Sequence, residues 1–147
     1  MCECVRLIGE LEILLIRNSE VIERRVYKNV ITNIGKAQVA GLINGVVTTP
    51  FKYVAIGTGT TAESPTDTSL VYEVARVLAT TGRETTNVTN DTATWNATFS
   101  FTTSYSITEA GIFDSETGGN MLARKTFPAL NVEAGDSLVV SWKVVVS

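Results

Sequence analysis

The stretch Thr-Ala-Thr-Trp-Asn-Ala-Thr-Phe-Ser-Phe, residues 92–101, decides the fold class. Polar and apolar side chains alternate along it, and the apolar set is Ala93, Trp95, Ala97, Phe99 and Phe101. Because successive side chains of a strand point to opposite faces, a period of two indicates a half-buried antiparallel strand. The pattern returns near the end of the chain, at Leu138, Val140, Trp142, Val144 and Val146. We expect both rows to point inward and join two sheets.

The composition also favours β structure. The chain has 147 residues, of which 21 are threonine, a β-branched and half-polar residue that suits the solvated face of a strand. Hydrophobic residues make up 44% and charged residues 18%, which is enough apolar surface for one core. We therefore expect a single domain over residues 1–147, in which residues 1–6 form a mobile N-terminal arm.

The strands on either side of residues 92–101 are bounded by turn residues. A hairpin is predicted from Leu7–Arg17 and Val21–Lys28. Along its second strand, Ile22 and Val26 are expected on one face, and on the other face Glu23, Arg25 and Tyr27. Further strands are predicted at 51–57, at 107–114 and at 121–127, the last two joined by the turn 115–120. Residues 60–69 are expected to form a surface loop, and 70–79 is either a strand or irregular. A tight acidic turn is predicted at residues 133–136.

One helix is predicted between these strands. Thr32 or Asn33 can cap its first turn, and Asn44-Gly45 supplies its end. The apolar residues that fall on one broad face at helical spacing are Ile34, Val39, Leu42, Ile43 and Val46. Together with the short strands, this predicts a mainly β chain: an antiparallel β-sandwich or jelly-roll-like domain with one short helix near residues 33–44.

The charges and missing residue types exclude several functions. Histidine is absent, which removes the commonest general base and metal ligand. The net charge is −3 and the basic residues are scattered, so a nucleic-acid partner is not expected. No segment reaches membrane-spanning length, and Leu11–Ile16 is too short for a signal-peptide core. Cys2 and Cys4 are too close to form a useful disulfide, and we expect them to be reduced. No enzymatic activity and no cofactor are predicted.

Two motifs resemble known sites and are given structural interpretations. The run Ile56-Gly-Thr-Gly-Thr-Thr61 follows a strand but lacks the third glycine or the Gly-Lys-Ser/Thr of a phosphate loop, so a strand-exit turn is favoured. Asn87, Asn90 and Asn96 begin Asn-x-Thr triplets, which are interpreted as part of an exposed strand face rather than glycosylation sites.

The acidic and aromatic residues are interpreted in the same way. Five carboxylates in or beside turns are expected to be ordinary solvated groups: Glu109, Asp114, Glu116, Glu133 and Asp136. Calcium binding by these turns is the alternative that stays open. The aromatic residues are expected in the core rather than on a ligand-binding platform: Tyr53, Trp95, Phe99, Phe101, Phe113, Phe127 and Trp142. No catalytic, cofactor or metal residue is predicted.

Four segments, taken in order, resemble virion proteins of tailed bacteriophages. They are residues 28–45, where a hairpin runs into "N-x-I/V-T/V-N-x-G" and a helix, residues 51–70, the run Ile-Thr-Glu-Ala-Gly-Ile-Phe-Asp at 107–114, and residues 131–138. The first 27 residues match no motif of this family. The resemblance implies a β-rich virion structural protein without enzymatic activity, located in the head, tail or a fibre.

Within that family a capsid decoration protein that binds between capsid subunits and stabilises the head is the preferred hypothesis. The alternative is a tail, baseplate or fibre component, which includes a receptor- or glycan-binding module. The expected partners are the major capsid protein or other virion proteins, and we expect a homo-oligomer, a trimer being favoured. The protein would be assembled into the virion in the host cytoplasm. Its expected contact surfaces are the uncharged Thr/Asn strand faces and the N-terminal arm.

Overall fold

The computed structural model of the chain describes residues 3–147. Within this range there are ten strands and one helix. They are β1 (Leu7–Arg17), β2 (Glu20–Lys28), β3 (Val30–Ile31), α1 (Asn33–Asn44), β4 (Tyr53–Gly57), β5 (Glu73–Leu78), β6 (Thr80–Glu84), β7 (Thr92–Ser100), β8 (Tyr105–Phe113), β9 (Met121–Val132) and β10 (Ser137–Val146). Residues 70–79, which the sequence left open, therefore contain a strand.

The strands form two five-stranded antiparallel sheets. The first sheet has the order β2-β1-β10-β7-β6, and the second has the order β3-β9-β8-β4-β5. The chain passes from the edge of the second sheet to the edge of the first between Leu78 and Thr80. The predicted mainly β sandwich with one short helix is confirmed.

The core lies between the sheets and is built on the two alternating rows. Trp95 of β7 and Trp142 of β10 are directly opposite each other, and both are buried. Both indole N–H groups are satisfied: Trp95 donates to the carbonyl of Phe51 and Trp142 to the Oδ1 of Asn29, each at 2.8 Å. Val146 departs from the predicted row, with 48% exposure, because it ends β10 at the rim of the sheet.

The first hairpin forms as predicted, with a two-residue turn. Asn18 and Ser19 both have positive φ, 51° and 63°, which is the turn geometry that matches the twist of paired strands. Glu23, Arg25 and Tyr27 are half-buried, whereas Ile22 and Val26 are exposed on the other face. A bulge at Leu15/Ile16 leaves Ile22 as the extra residue in β2.

The helix begins and ends as predicted but packs only part of the predicted apolar face against the core. The Thr32 hydroxyl accepts a hydrogen bond from the Gly35 amide, and Gly45 ends the helix in the left-handed conformation at φ 81°. The buried helical residues are Gly35 and Gly41, whereas Ile43 is 82% exposed. A Cβ at Gly35 would lie 2.7 Å from the carbonyl oxygen of Leu122, so the helix approaches β9 through glycine. The prediction that Ile43 and Val46 share a buried face is therefore wrong.

The first and last strands continue to pair beyond their ends. Arg6 and Ser147 exchange both backbone hydrogen bonds. Cys2 lies outside the described residues, and Cys4 is exposed. The mobility of residues 1–6 stays a prediction. No helix of the described chain is long and apolar enough to cross a membrane.

Candidate functional site: a clamped loop and exposed surfaces

The loop of residues 58–72, called the clamped loop below, covers the outer face of the second sheet. Its Leu70 is buried against Ala55, Phe113 and Met121, which form a small apolar cluster outside the sandwich. The loop was predicted to lie on the surface, and its tip does, but its two ends are fixed to the sheet. The buried cluster therefore makes the loop part of the folded core.

One carboxylate fixes both ends of the clamped loop. Glu109, in the middle of β8, accepts hydrogen bonds from the backbone amides of Gly59 at 2.8 Å, Val71 at 2.9 Å and Tyr72 at 2.8 Å. Its side chain is fully buried. Backbone amides from both ends of the loop therefore converge on a single anion.

Arg124 of β9 neutralises this anion and holds the middle of the loop. Its Nη2 lies 3.0 Å from Glu109 and donates to the carbonyl of Thr61 at 2.8 Å, while Nη1 donates to Asp67 at 2.9 Å. Arg124 is also fully buried. A buried ion pair is tolerated when its remaining donors and acceptors are satisfied, and here the surrounding backbone supplies the partners.

A second carboxylate secures the outer part of the loop. Glu63 accepts from the Nζ of Lys125 at 2.7 Å and from the hydroxyl of Thr126. Burial alone would raise the pKa of Glu63, but the hydrogen bonds from Lys125 and Thr126 outweigh it and lower the pKa from 4.5 to about 2. The clamped loop is thus anchored by two carboxylates, of which Glu63 is held ionised at neutral pH.

The glycine run at 56–61 is part of this anchorage. A Cβ on Gly59 would lie 2.5 Å from the carboxylate of Glu109, and the Gly59 amide already donates to that carboxylate. The run is therefore a strand-exit turn that packs on an internal anion.

Two of the five acidic residues predicted to be solvated are buried, so the prediction is wrong for them. Glu109 has no exposed surface and Asp136 has 2%. A signal for Glu109 existed: it lies inside the apolar run 107–113, and Arg124 follows the apolar run 121–123 in the neighbouring strand. Opposite charges within two adjacent apolar strands indicate a buried pair.

Asp136 is the acidic anchor of the turn at 133–136. It binds Arg17 through two hydrogen bonds of 2.9 and 2.8 Å and accepts the amide of Glu133 at 2.8 Å. The bond from Arg17 lowers the pKa of Asp136, and the bond from the Glu133 amide lowers it further. The pair joins the first strand to the last turn of the chain.

The three asparagines of the Asn-x-Thr triplets are exposed, in two different settings. Asn96 lies on the outer face of β7, as predicted, and accepts from Ser141 at 2.8 Å. Asn87 and Asn90 lie in the turn between β6 and β7, so the strand-face interpretation is wrong for them. That turn is organised by Asp91, whose carboxylate accepts three backbone amides; these hydrogen bonds lower its pKa.

The seven aromatic residues predicted for the core lie in apolar surroundings: Tyr53 is half-buried and the other six are buried. Across residues 3–147, no group of three or more cysteine, aspartate or glutamate residues is placed to hold a metal ion. Tyr72, which the sequence patterns did not single out, is 68% exposed at the end of the clamped loop.

An exposed apolar surface, the helix-end surface, surrounds α1 and the start of β1. Its exposed apolar members include Val5 (70%), Ile8 (39%) and Ile43 (82%), which line one groove. Two grooves of about 320 and 590 Å³ meet there and share Leu7 and Val39. Single exposed apolar residues are ordinary, but a contiguous set is typical of a protein-binding surface.

The comparison with protein families decides the identity of the chain. Residues 31–146 match the model of the family described as Podophage GP4 fiber I protein gp80. The chain belongs to this family. The match begins at the last residue of β3 and runs through β10, so it covers the helix, the clamped loop and the other four strands of the second sheet. Neither the curated proteins nor the solved structures give a match.

Membership confirms the resemblance to tailed-phage virion structural proteins. The protein is a structural component of the phage virion and associates with other virion proteins. The match leaves out β1 and β2, in agreement with the absence of a family motif from the first 27 residues.

Proposed function

We propose that the protein is a non-enzymatic component of a phage fibre, which docks on other virion proteins and assembles from several copies. The observation that carries the proposal is the family match over residues 31–146, since that family is described as a fibre protein. Head decoration, the hypothesis preferred from the sequence, has no comparable support. A homo-oligomer, with a trimer favoured, and the absence of nucleic-acid and membrane partners remain parts of the proposal.

The structure supports a docking role. The helix-end surface exposes Val5 and Ile43 along a groove that meets a second, largely apolar groove. The clamped loop is anchored by a buried ion pair and does not need a ligand to take its conformation. Rigid preformed surfaces bind partners at a low entropic cost, which suits a component that must assemble reliably.

A receptor- or glycan-binding role is a second candidate, and Tyr72 favours it. An exposed aromatic ring on a rigid loop is a common contact for sugars and protein receptors. Tyr72 is 68% exposed, and its backbone amide is held by Glu109. Binding of the purified protein to host cells, compared with that of Y72A, tests this candidate.

The copy number of the protein in purified virions tests the fibre proposal. Quantitative mass spectrometry against the major capsid protein should give roughly three to a dozen copies per particle, as symmetric fibres require. Antibody labelling should decorate fibres rather than the shell. Copies on the order of hundreds, with label over the head, would overturn the fibre proposal and support decoration.

A further inference from the structure

We propose that β2 is a self-pairing edge: two copies of the chain join antiparallel through β2 and extend the first sheet across a twofold axis at Arg24. The inference concerns the hairpin that the family match leaves out, and it goes beyond the proposed fibre role. Because a twofold contact joins two chains, it predicts a dimer in place of the trimer favoured above.

The edge is long and unpaired within the described chain. β2 has nine residues, whereas the other three sheet edges are β3 with two, β6 with five and β5 with six. Within residues 3–147 no strand lies on the side of β2 that faces away from β1. Three of its residues are exposed apolar side chains: Val21 (55%), Ile22 (47%) and Val26 (43%). An exposed apolar edge offers a free row of backbone donors and acceptors for another strand.

The sequence of β2 is complementary to itself when it is read in the opposite direction. Residues that face each other in an antiparallel pair lie on the same side of the sheet. With the axis at Arg24, Glu23 faces Arg25 of the second copy and Ile22 faces Val26 of the second copy, each pair occurring twice. Each axis places one charged residue against its own copy, so the flanking pairs decide between them. An axis at Glu23 would place Ile22 against Arg24, and an axis at Arg25 would place Val26 against Arg24. Among these three axes, the one at Arg24 gives matching charge and apolar pairs.

The two Arg24 side chains that meet at the axis are each already paired with a carboxylate of their own chain. Arg24 lies on the outer face, and its Nη2 is 2.7 Å from the carboxylate of Glu12 in β1. On the other face Arg25 binds Glu23 of the same chain and donates to the carbonyl of Pro128. Pairing of two copies would therefore join two Glu23–Arg25 pairs into one ring of alternating charges. The bulge at Ile22 ends the regular stretch on one side.

Charge reversal at Glu23 and Arg25 provides the test. The parent protein and the single variants E23R and R25E are first checked for the same near-ultraviolet circular dichroism, and their association is then followed by sedimentation equilibrium. Each single variant places like charges across the axis, so we expect its self-dissociation constant to rise about tenfold or more. When E23R is mixed with R25E, positions 23 and 25 of the E23R chain both carry arginine. They face positions 25 and 23 of the R25E chain, which both carry glutamate. We expect the mixture to form heterodimers with a dissociation constant within about threefold of the parent value.

Two apolar-to-lysine variants separate this edge from the helix-end surface. V26K alters β2, and I43K alters an even more exposed apolar side chain on α1. The proposal predicts weakened association for V26K and unchanged association for I43K. A parent protein that stays monomeric at about 1 mM, a mixture of E23R and R25E that does not associate, or a trimer that V26K leaves intact would each overturn it.

Discussion

The Glu109 carboxylate lies 3.0 Å from the Nη2 of Arg124, and neither side chain is exposed to solvent. The two residues belong to neighbouring strands, β8 and β9, and stand on the outer face of the second sheet beneath the clamped loop. Charges in this position are costly to bury unless every donor and acceptor finds a partner. The loop supplies these partners through Gly59, Val71 and Tyr72, so the ion pair and the loop depend on each other.

Loss of the negative charge at Glu109 should therefore destabilise the whole domain. We expect E109Q to lower the free energy of unfolding by about 3 kcal/mol, because Arg124 stays buried with Asp67 as its remaining anionic partner. Urea denaturation measures this change. Hydrogen exchange at the Gly59, Val71 and Tyr72 amides should accelerate more than exchange in β10, since those amides lose their anionic acceptor.

The exposed residue Glu116 provides the control for E109Q. E116Q removes the same charge from a turn and should change the stability by no more than about 0.5 kcal/mol. If E109Q were as stable as E116Q, the ion pair would not be what holds the loop.

Most of the fold could be predicted because it depends on local patterns. The alternation around Trp95 and Trp142 is decided by the period of a strand, and the limits of α1 by Thr32 and Gly45. The apolar runs around Glu109 and Arg124 indicate a buried pair, but the amides that bind Glu109 could not be derived from local patterns, since they lie in a distant loop, earlier in the chain, that folds over β8. The exposure of Ile43 has a similar origin, because the helix approaches β9 through Gly35, and Val39 and Leu42 pack against the core while Ile43 faces solvent.

Acid should weaken the domain partly through Glu63. Its pKa is lowered to about 2 in the folded protein from 4.5, so the ionised form stabilises the folded state above pH 4.5. This contribution is lost as the pH falls from 4.5 to about 2. We expect the urea midpoint of the parent to fall more steeply over this range than that of E63Q. E116Q should keep the parental slope, and an E63Q slope equal to the parental one would contradict the assignment.

The close contact between Gly9 and Asn29 should make Gly9 intolerant of a side chain. A Cβ at Gly9 would overlap the amide of Asn29, which accepts the indole N–H of the buried Trp142 at 2.8 Å. G9A should therefore cost about 1–3 kcal/mol, since the indole N–H would lose its acceptor. G82A is the matched control in the same sheet, because its Cβ would meet only the hydroxyl of Thr94, at 3.2 Å. We expect G82A to stay within about 0.5 kcal/mol of the parent in urea denaturation. Equal losses for both variants would show that the packing against Asn29 is not the cause.

Thr32 couples the start of the helix to the second sheet and should be sensitive to loss of its hydroxyl. The hydroxyl accepts the Gly35 amide at 2.9 Å and donates to the carbonyl of Met121 at 2.6 Å, in a fully buried position. T32A removes both bonds, and we expect a loss of about 1–2 kcal/mol, the upper range for an N-cap residue. T32S keeps the hydroxyl and should recover most of the loss when thermal unfolding is followed by circular dichroism. If T32A and T32S unfolded at the same temperature, the methyl group rather than the hydrogen bonds would account for the role of Thr32.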